Sequence, residues 1–239
     1  MERQVVFEGE RITYELVRKN VKNVNFRVKS DLSVWVSASK RISGQEVDRL
    51  VLEKAPWILK VQSDMRQRAG KRLKSVYQDG GSVAFLGRLL PIRVQSGEPS
   101  GWQLTKDGLR LTGCADEAAI RTQVARFYQE MRIVVFEEIN TRVHQAYFAE
   151  KQIAKAQLAV RRMSASWGRC HIQKGLIVLN AQLIKASPEC ITSVIVHEYV
   201  HFLYPDHSKG FYGLLRNLLP QYDELTRQLS EQVSCQPED

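Results

Sequence analysis

His197-Glu198-Tyr199-Val200-His201, with His207 six residues beyond, is the set of side chains in this chain best suited to chemistry. Residues four apart on an α-helix share a face, about 40° apart around the axis, so His197 and His201 can hold one metal ion between them. Glu198 projects roughly 60° to the side of His201, close enough to reach a water on that ion without taking a ligand position. Pro205 cannot sit inside a helix and disfavours helical backbone at Tyr204. The helix is therefore expected to stop near Leu203 or Tyr204, and the turn that follows lets His207 close the set. Three neutral imidazoles and an open fourth position describe a catalytic zinc site rather than a closed structural one. Zinc lowers the pKa of its water to about 7, so Glu198 is expected to take that proton as hydroxide attacks a polarised carbonyl, then deliver it to the leaving amine. Tyr204, Tyr212, Arg169 and Arg216 are near enough in sequence to steady the oxyanion, with nothing to choose among them.

The elements around this set can be read from the same residues. Ser187-Pro188-Glu189 is a helix start: a side-chain cap, a proline in the first turn and an acid at the positive dipole end. Ile191, Val194, Ile195, Tyr199, Val200, Phe202 and Leu203 surround the polar trio with apolar side chains, which a charged residue and two imidazoles tolerate only with strong partners. Just upstream, 158–163 and 176–179 read as an antiparallel strand pair bracketing Trp167-Gly168-Arg169-Cys170. The strand at Leu176–Asn180 is a candidate sheet edge for an extended peptide; Trp167 and Asn180 read more readily as a packing plug and a turn former. Asp116 to about Lys151 is a long amphipathic helix, with His144 on its apolar stripe as a structural histidine. Phe211–Leu219 is a short helix, Pro220 starts a turn, and the chain after Glu231 reads as a loose acidic tail.

Farther upstream, residues 5–15 and 24–36 alternate like strands, the second with a turn at Lys29-Ser30-Asp31. Ser43-Gly44-Gln45-Glu46 is a capping box opening a helix to about residue 68, which Pro56 should kink. Residues 83–94 and 102–111 read as two β-hairpins. These patterns give an α+β fold with a β-rich region at 1–112 and a second domain at 113–239, and the basic stretch 66–74 is the best linker candidate.

Composition bounds the rest. The 239 residues are 44% hydrophobic, enough for a substantial core, and no run approaches 18 uninterrupted apolar residues. No apolar segment resembling a signal peptide follows Met1, so the expected setting is the cytoplasm, without a membrane. Cys114, Cys170, Cys190 and Cys235 form no C-x-x-C pair, which argues against a disulfide framework or a thiolate zinc knuckle. Residues 1–80 carry 17 basic against 10 acidic side chains, 81–150 carry 8 and 8, and 151–239 carry 10 and 8. The clusters Arg18, Lys19, Lys22, Arg27, Lys29 and Arg66, Arg68, Lys71, Arg72, Lys74 make nucleic-acid association through the N-terminal region an expectation to test.

Three segments together resemble the YgjP-like metallopeptidase family: R-M-S-A-S-W-G-R-C (162–170), G-L-I-V-L-N (175–180) and V-I-V-H-E-Y-V-H-F-L-Y-P-D-H-S-K-G-F-Y (194–212). V-N-F-R-V, K-A-P-W-I and G-G-S-V-A-F-L-G-R echo the family's earlier strands, helix and hairpin, so the likeness runs over roughly 20–225. Asp206 stands where the family usually has Asn, Tyr212 where it has Trp, and Ser164 and Ser166 where it has basic residues. The resemblance implies a zincin-like catalytic domain related to SprT-type peptidases, with a small antiparallel sheet and a metal-binding helix. It also implies His197, His201 and His207 as zinc ligands, Glu198 as base and a protein or peptide as substrate. Two other readings stand beside it: a non-catalytic basic zinc-binding adaptor for nucleic acid or a protein partner, and a zinc hydrolase of non-peptide amides.

Overall fold

Glu8 and Gly9, both at positive φ (49° and 83°), fold the first alternating run back on itself, giving two strands where the pattern alone suggested one. In the computed structural model, which describes residues 1–29, 31–71 and 75–233, these are β1 (Glu2–Phe7) and β2 (Glu10–Arg18). With β3 (Asn25–Val28) and β4 (Val34–Ala38) they form a sheet of order β1-β2-β4-β3, with β2 and β4 parallel. Helix α1 (Gly44–Lys71) starts on the Ser43 hydroxyl, which accepts from the Glu46 N–H at 3.1 Å. The Glu46 carboxylate binds Arg49 instead of reaching back to the cap.

Val47, Val51, Ala55 and Ile58, spaced at helical intervals, are fully buried in one cluster with Ile12, Tyr14, Leu16, Val34 and Val36. Burying each larger aliphatic contributes about 1.5–3 kcal/mol, and this sets the face that α1 presents. Pro56 lies inside the helix, which runs through it as one element. Arg3 and Tyr14 both donate to the Asp48 carboxylate, each through a 2.6 Å bond.

Contacts divide the chain into Met1–Lys71 and Arg72–Asp239, so the division falls within the stretch marked as linker and not at 112/113. The reason is hydrophobic. Strands β5 (Ser82–Phe85), β6 (Arg88–Gln95), β7 (Gly101–Thr105) and β8 (Gly108–Thr112) form a sheet of order β5-β6-β8-β7. Their Val83, Phe85, Ile92, Leu109 and Leu111 share one core with the second unit's helices. Ser30, residues 72–74 and the tail after Val233 lie outside the described residues, as do the side chains of 68–71. The expectations about the Lys29–Asp31 turn, most of the second basic cluster and the loose tail fall partly or wholly there.

The second unit's long helix, α2 (Glu117–Val143), is capped by Asp116, whose carboxylate accepts from the Ala119 N–H at 2.8 Å. It passes into a π-helical turn (His144–Phe148) and a 3₁₀ turn (Ala149–Lys151), so the single helix expected to Lys151 comes in three parts. His144 Nε2 lies 2.8 Å from the Ile153 carbonyl, a structural contact as expected. A third sheet holds β9 (Gln157–Arg161), β10 (Gly168–His171) and β11 (Leu176–Asn180) in the order β10-β11-β9. Here β9 and β11 run parallel, and the bracketed segment is itself the strand antiparallel to β11. The sheet is therefore mixed and not wholly antiparallel, and β11 is its centre. The chain is α+β as expected. Among the described residues, no helix is long and apolar enough to cross a membrane.

Candidate metal centre

The metal helix α3 (Pro188–Val200) begins where the sequence predicts: the Ser187 hydroxyl accepts from the Cys190 N–H at 3.3 Å, and Pro188 fills the first turn, where no N–H is needed. A hairpin tip fixes that end. The N–H groups of Leu86 and Gly87 donate to the carbonyls of Ile184 and Lys185 at 3.0 and 2.9 Å. A Cβ on Gly87 would lie 2.8 Å from the Ser187 Cβ, so the β5–β6 turn needs glycine both for its φ of +78° and for this approach.

The other end of α3 delivers the imidazoles. The helix stops at Val200, slightly earlier than expected, and the N–H groups of Leu203 and Tyr204 both return to the Val200 carbonyl. Pro205 and the following turn lead to Ser208, whose hydroxyl caps α4 (Lys209–Leu218). His197, His201 and His207 each offer one nitrogen to a group in which all lie within 4.8 Å of one another. Phe211 on α4 packs against all three rings, with centroids 4.7 to 4.9 Å away.

Two of the nitrogens pointing elsewhere are occupied. His197 Nδ1 lies 2.8 Å from the Tyr222 hydroxyl and His201 Nδ1 lies 3.1 Å from the Tyr204 carbonyl. Nδ1–H donation to those oxygens leaves each Nε2 lone pair for the centre. The Nε2 atoms of His197 and His207 are 3.1 Å apart, close to the roughly 3.3 Å that two nitrogens keep on a tetrahedral zinc with bonds of about 2.0–2.1 Å. Burial, reinforced by the two neighbouring histidines, pushes the His197 pKa down to about 4, so its imidazole is neutral at pH 7 and able to donate a lone pair. Burial lowers His201 as well. The donor set fits a divalent metal of the zinc type.

Glu198 is 5% exposed and lies on the β10 side. Burial pushes its pKa up to about 7, opposed by the Cys170 backbone N–H and the charge of Arg169. It fits there because residue 168 is glycine: a Cβ at that position would lie 2.5 Å from Glu198 Oε1. The strand and the base are thus packed backbone to carboxylate.

A cavity of about 390 Å³ opens over these groups. Its wall includes Trp167 to Cys170 on one side and Val194, Tyr222, Thr226 and Leu229 on the other. Burial, then the Glu198 charge, raises the Cys170 thiol to about 12, so it is a lining atom and no thiolate. Of the four oxyanion candidates only Arg169 lines this cavity. Arg216 is paired with Asp223 and lies over the Tyr212 ring, while the Tyr204 ring abuts Gly210.

Two site residues were not anticipated. Tyr222 opens α5 (Tyr222–Gln232), a helix between the expected turn at Pro220 and the expected tail after Glu231, where Tyr222, Leu225, Leu229 and Val233 recur at helical spacing. Gly168 carries no role in the sequence pattern beyond its place between the two expected strands. Asn180 resolves as a structural clamp: its amide donates to the Met163 and Ser166 carbonyls at 2.8 and 2.9 Å and accepts from the Gln182 N–H. Because β11 is paired on both sides, the peptide-receiving edge cannot be Leu176–Asn180; the edge beside Glu198 belongs to β10.

A family model described as "YgjP-like, metallopeptidase domain" matches residues 22–232. No curated protein matches the chain. Among solved structures, the metallopeptidase zymogen abylysin of Pyrococcus abyssi is similar at 17% identity and a TM-score of 0.34, over 38% of this chain and 87% of that one. The zymogen jannalysin of Methanocaldococcus jannaschii is similar at 18% identity and a TM-score of 0.33, over 38% of this chain and 89% of that one.

Proposed function

This chain belongs to the YgjP-like metallopeptidase family, and from that premise we propose that it is a zinc-dependent peptidase with Glu198 as general base. The observation that carries this reading is the convergence of three histidine nitrogens within 4.8 Å beside a buried glutamate that is not one of them. Zinc held by His197, His201 and His207 would supply the Lewis acid that polarises a peptide carbonyl and acidifies a water.

The chain's own residues do the remaining work. Tyr222 and the Tyr204 carbonyl fix the tautomer and orientation of His197 and His201. Glu198 takes a proton from the attacking water as the new C–O bond forms, and passes it to the amide nitrogen as the C–N bond breaks. A carboxyl poised near pH 7 suits both transfers. An extended peptide along the outer edge of β10 would bring its carbonyl past Glu198, with backbone hydrogen bonds supplying sequence-independent affinity. Arg169 is the charged group best placed to steady the tetrahedral oxyanion. The cytoplasmic setting expected from the sequence belongs to the same reading and is checked by fractionation.

The test compares wild type with Glu198→Gln by mass spectrometry of new protein termini in a cell extract, with bound zinc measured on both. Zinc near one per chain in both proteins and loss of the new termini in Glu198→Gln support the reading. Full zinc content with no Glu198-dependent cleavage would leave the non-catalytic adaptor standing.

A further inference from the structure

A second cavity of the same unit, about 360 Å³, shares no lining residue with the one over the histidines. It lies between α2 and the 3₁₀ segment Ala181–Lys185, and its lining holds four cations, Arg121, Arg132, Arg162 and Lys185. Among the described residues that lining includes no Asp or Glu.

Two of its polar side chains are nine-tenths buried or more: Lys185 at 5% exposure and Gln182 at 8%. Lys185 and the Arg132 guanidinium both lie near the Tyr128 ring, 5.8 and 5.6 Å from its centre. Arg121 is paired with Glu117 and covers the Tyr77 ring. Arg132 gives its Nε–H to the Ala181 carbonyl at 3.0 Å, which leaves four guanidinium N–H donors for other partners. Among the described residues, neither Arg132 nor Arg162 lies in an ion pair. Burial lowers the Arg132 pKa, opposed by Tyr128 and assisted by the charge of Arg162, which places the two guanidinium groups within reach of each other.

Two neighbouring guanidinium groups without an ion pair among the described residues, Arg132 half-buried and Arg162 beside it, are costly unless an anion joins them. The donors come from three places: Arg132 from α2, Arg162 from the segment after β9, and Gln182 from the 3₁₀ turn. One carboxylate would be satisfied by one arginine. Donors converging from several directions match a tetrahedral dianion, whose oxygens each accept more than one bond.

We propose that this cavity is a binding site for a phosphate group, independent of the metal centre. The volume suits a small phosphorylated molecule, and a nucleic-acid backbone phosphate offers the same chemistry from another source.

The test uses the full chain and isothermal titration with inorganic pyrophosphate at fixed ionic strength, followed by competition with a single-stranded oligonucleotide. Saturable one-site binding is expected, weakened at least tenfold by Arg132→Met and by Arg162→Met, and unchanged by Arg142→Met, a substitution of an arginine outside this lining. Arg162 is exposed, so its variant keeps the test meaningful should the half-buried Arg132→Met fail to fold. Oligonucleotide binding that pyrophosphate displaces, with the same two sensitivities, assigns the phosphate to a nucleic-acid backbone. No saturable pyrophosphate binding, or equal loss in all three variants, overturns the site.

Discussion

The hydroxyl of Tyr222 stands 2.8 Å from Nδ1 of His197, and the two rings lie nearly parallel with centroids 5.9 Å apart. This contact ties the last described helix to the metal helix. With Nδ1–H donating to the tyrosine oxygen, the Nε2 lone pair of His197 faces the other two histidines. Removing such a partner typically weakens metal binding 10–100-fold. Tyr222→Phe keeps the ring and deletes only the oxygen, so zinc affinity is expected to fall about tenfold or more, read by competition with a chromophoric chelator. Unchanged affinity would mean the contact only packs the helix.

Gly168 and Glu198 make the second prediction. An added methyl at 168 would lie 2.5 Å from Glu198 Oε1 and 2.8 Å from Cδ, so the carboxylate must move. A displacement of about 1 Å at a catalytic group can cost on the order of 100-fold in rate. Gly168→Ala is expected to lower kcat by that order with zinc content intact, since the atoms nearest the added methyl all belong to Glu198. Activity within twofold of wild type would show that Glu198 tolerates the shift.

The contrast between these residues explains what the sequence reveals and what it hides. His197 and His201 are legible because a helix converts a spacing of four into one face, and Ser187-Pro188 marks the start of that helix without any tertiary knowledge. His207 follows from Pro205. Gly168 is invisible at that level: its role is the absence of a Cβ opposite a residue 30 positions away. The 168–171 strand has no apolar alternation of its own to mark it, and it forms because β11 offers it a register, Gly168 opposite Leu179. Helix α5 carries mostly polar residues, so its sparse apolar spacing did not stand out until Tyr222, Leu225 and Leu229 met the core. The domain boundary depended on which core the β5–β8 sheet joins, and hairpin patterns say nothing of that.

Asn180 supports the third prediction. Its buried amide serves two carbonyls of the loop that leads into β10 and the Gln182 N–H of the 3₁₀ segment that follows β11. Asn180→Ala leaves those groups without their partner, at roughly 1–3 kcal/mol for a buried unsatisfied group. A loss of that size in denaturant unfolding is expected, with lowered activity because the loop carries Trp167 to the cavity wall. Stability unchanged within about 0.5 kcal/mol would show that water replaces the amide.

The first unit carries a pH prediction of its own. The hydrogen bond from Arg3 holds the Asp48 carboxyl below its ordinary value against the opposing effect of burial, with Tyr14 and the Arg3 charge adding to the depression. Burial first, and then the bond to Asp48, raises Tyr14 to about 12, so it remains a donor across the neutral range. A carboxyl depressed in the folded state binds fewer protons there than in the unfolded chain. Its stabilisation is therefore present above the unfolded value of about 3.9 and is lost as pH falls through the lower folded value. Acid titration below about pH 4 should weaken the unit Met1–Lys71 more steeply in wild type than in Asp48→Asn, whose side chain does not titrate. Carboxyl-carbon NMR of Asp48 checks the cause directly: a midpoint below 3.9 that rises in Tyr14→Phe is expected, because deleting the hydroxyl removes one of the bonds that favour the charged form. A midpoint at or above that value would mean that the desolvation of Asp48 outweighs the two donors, and the acid sensitivity of the unit would then have to come from other carboxylates.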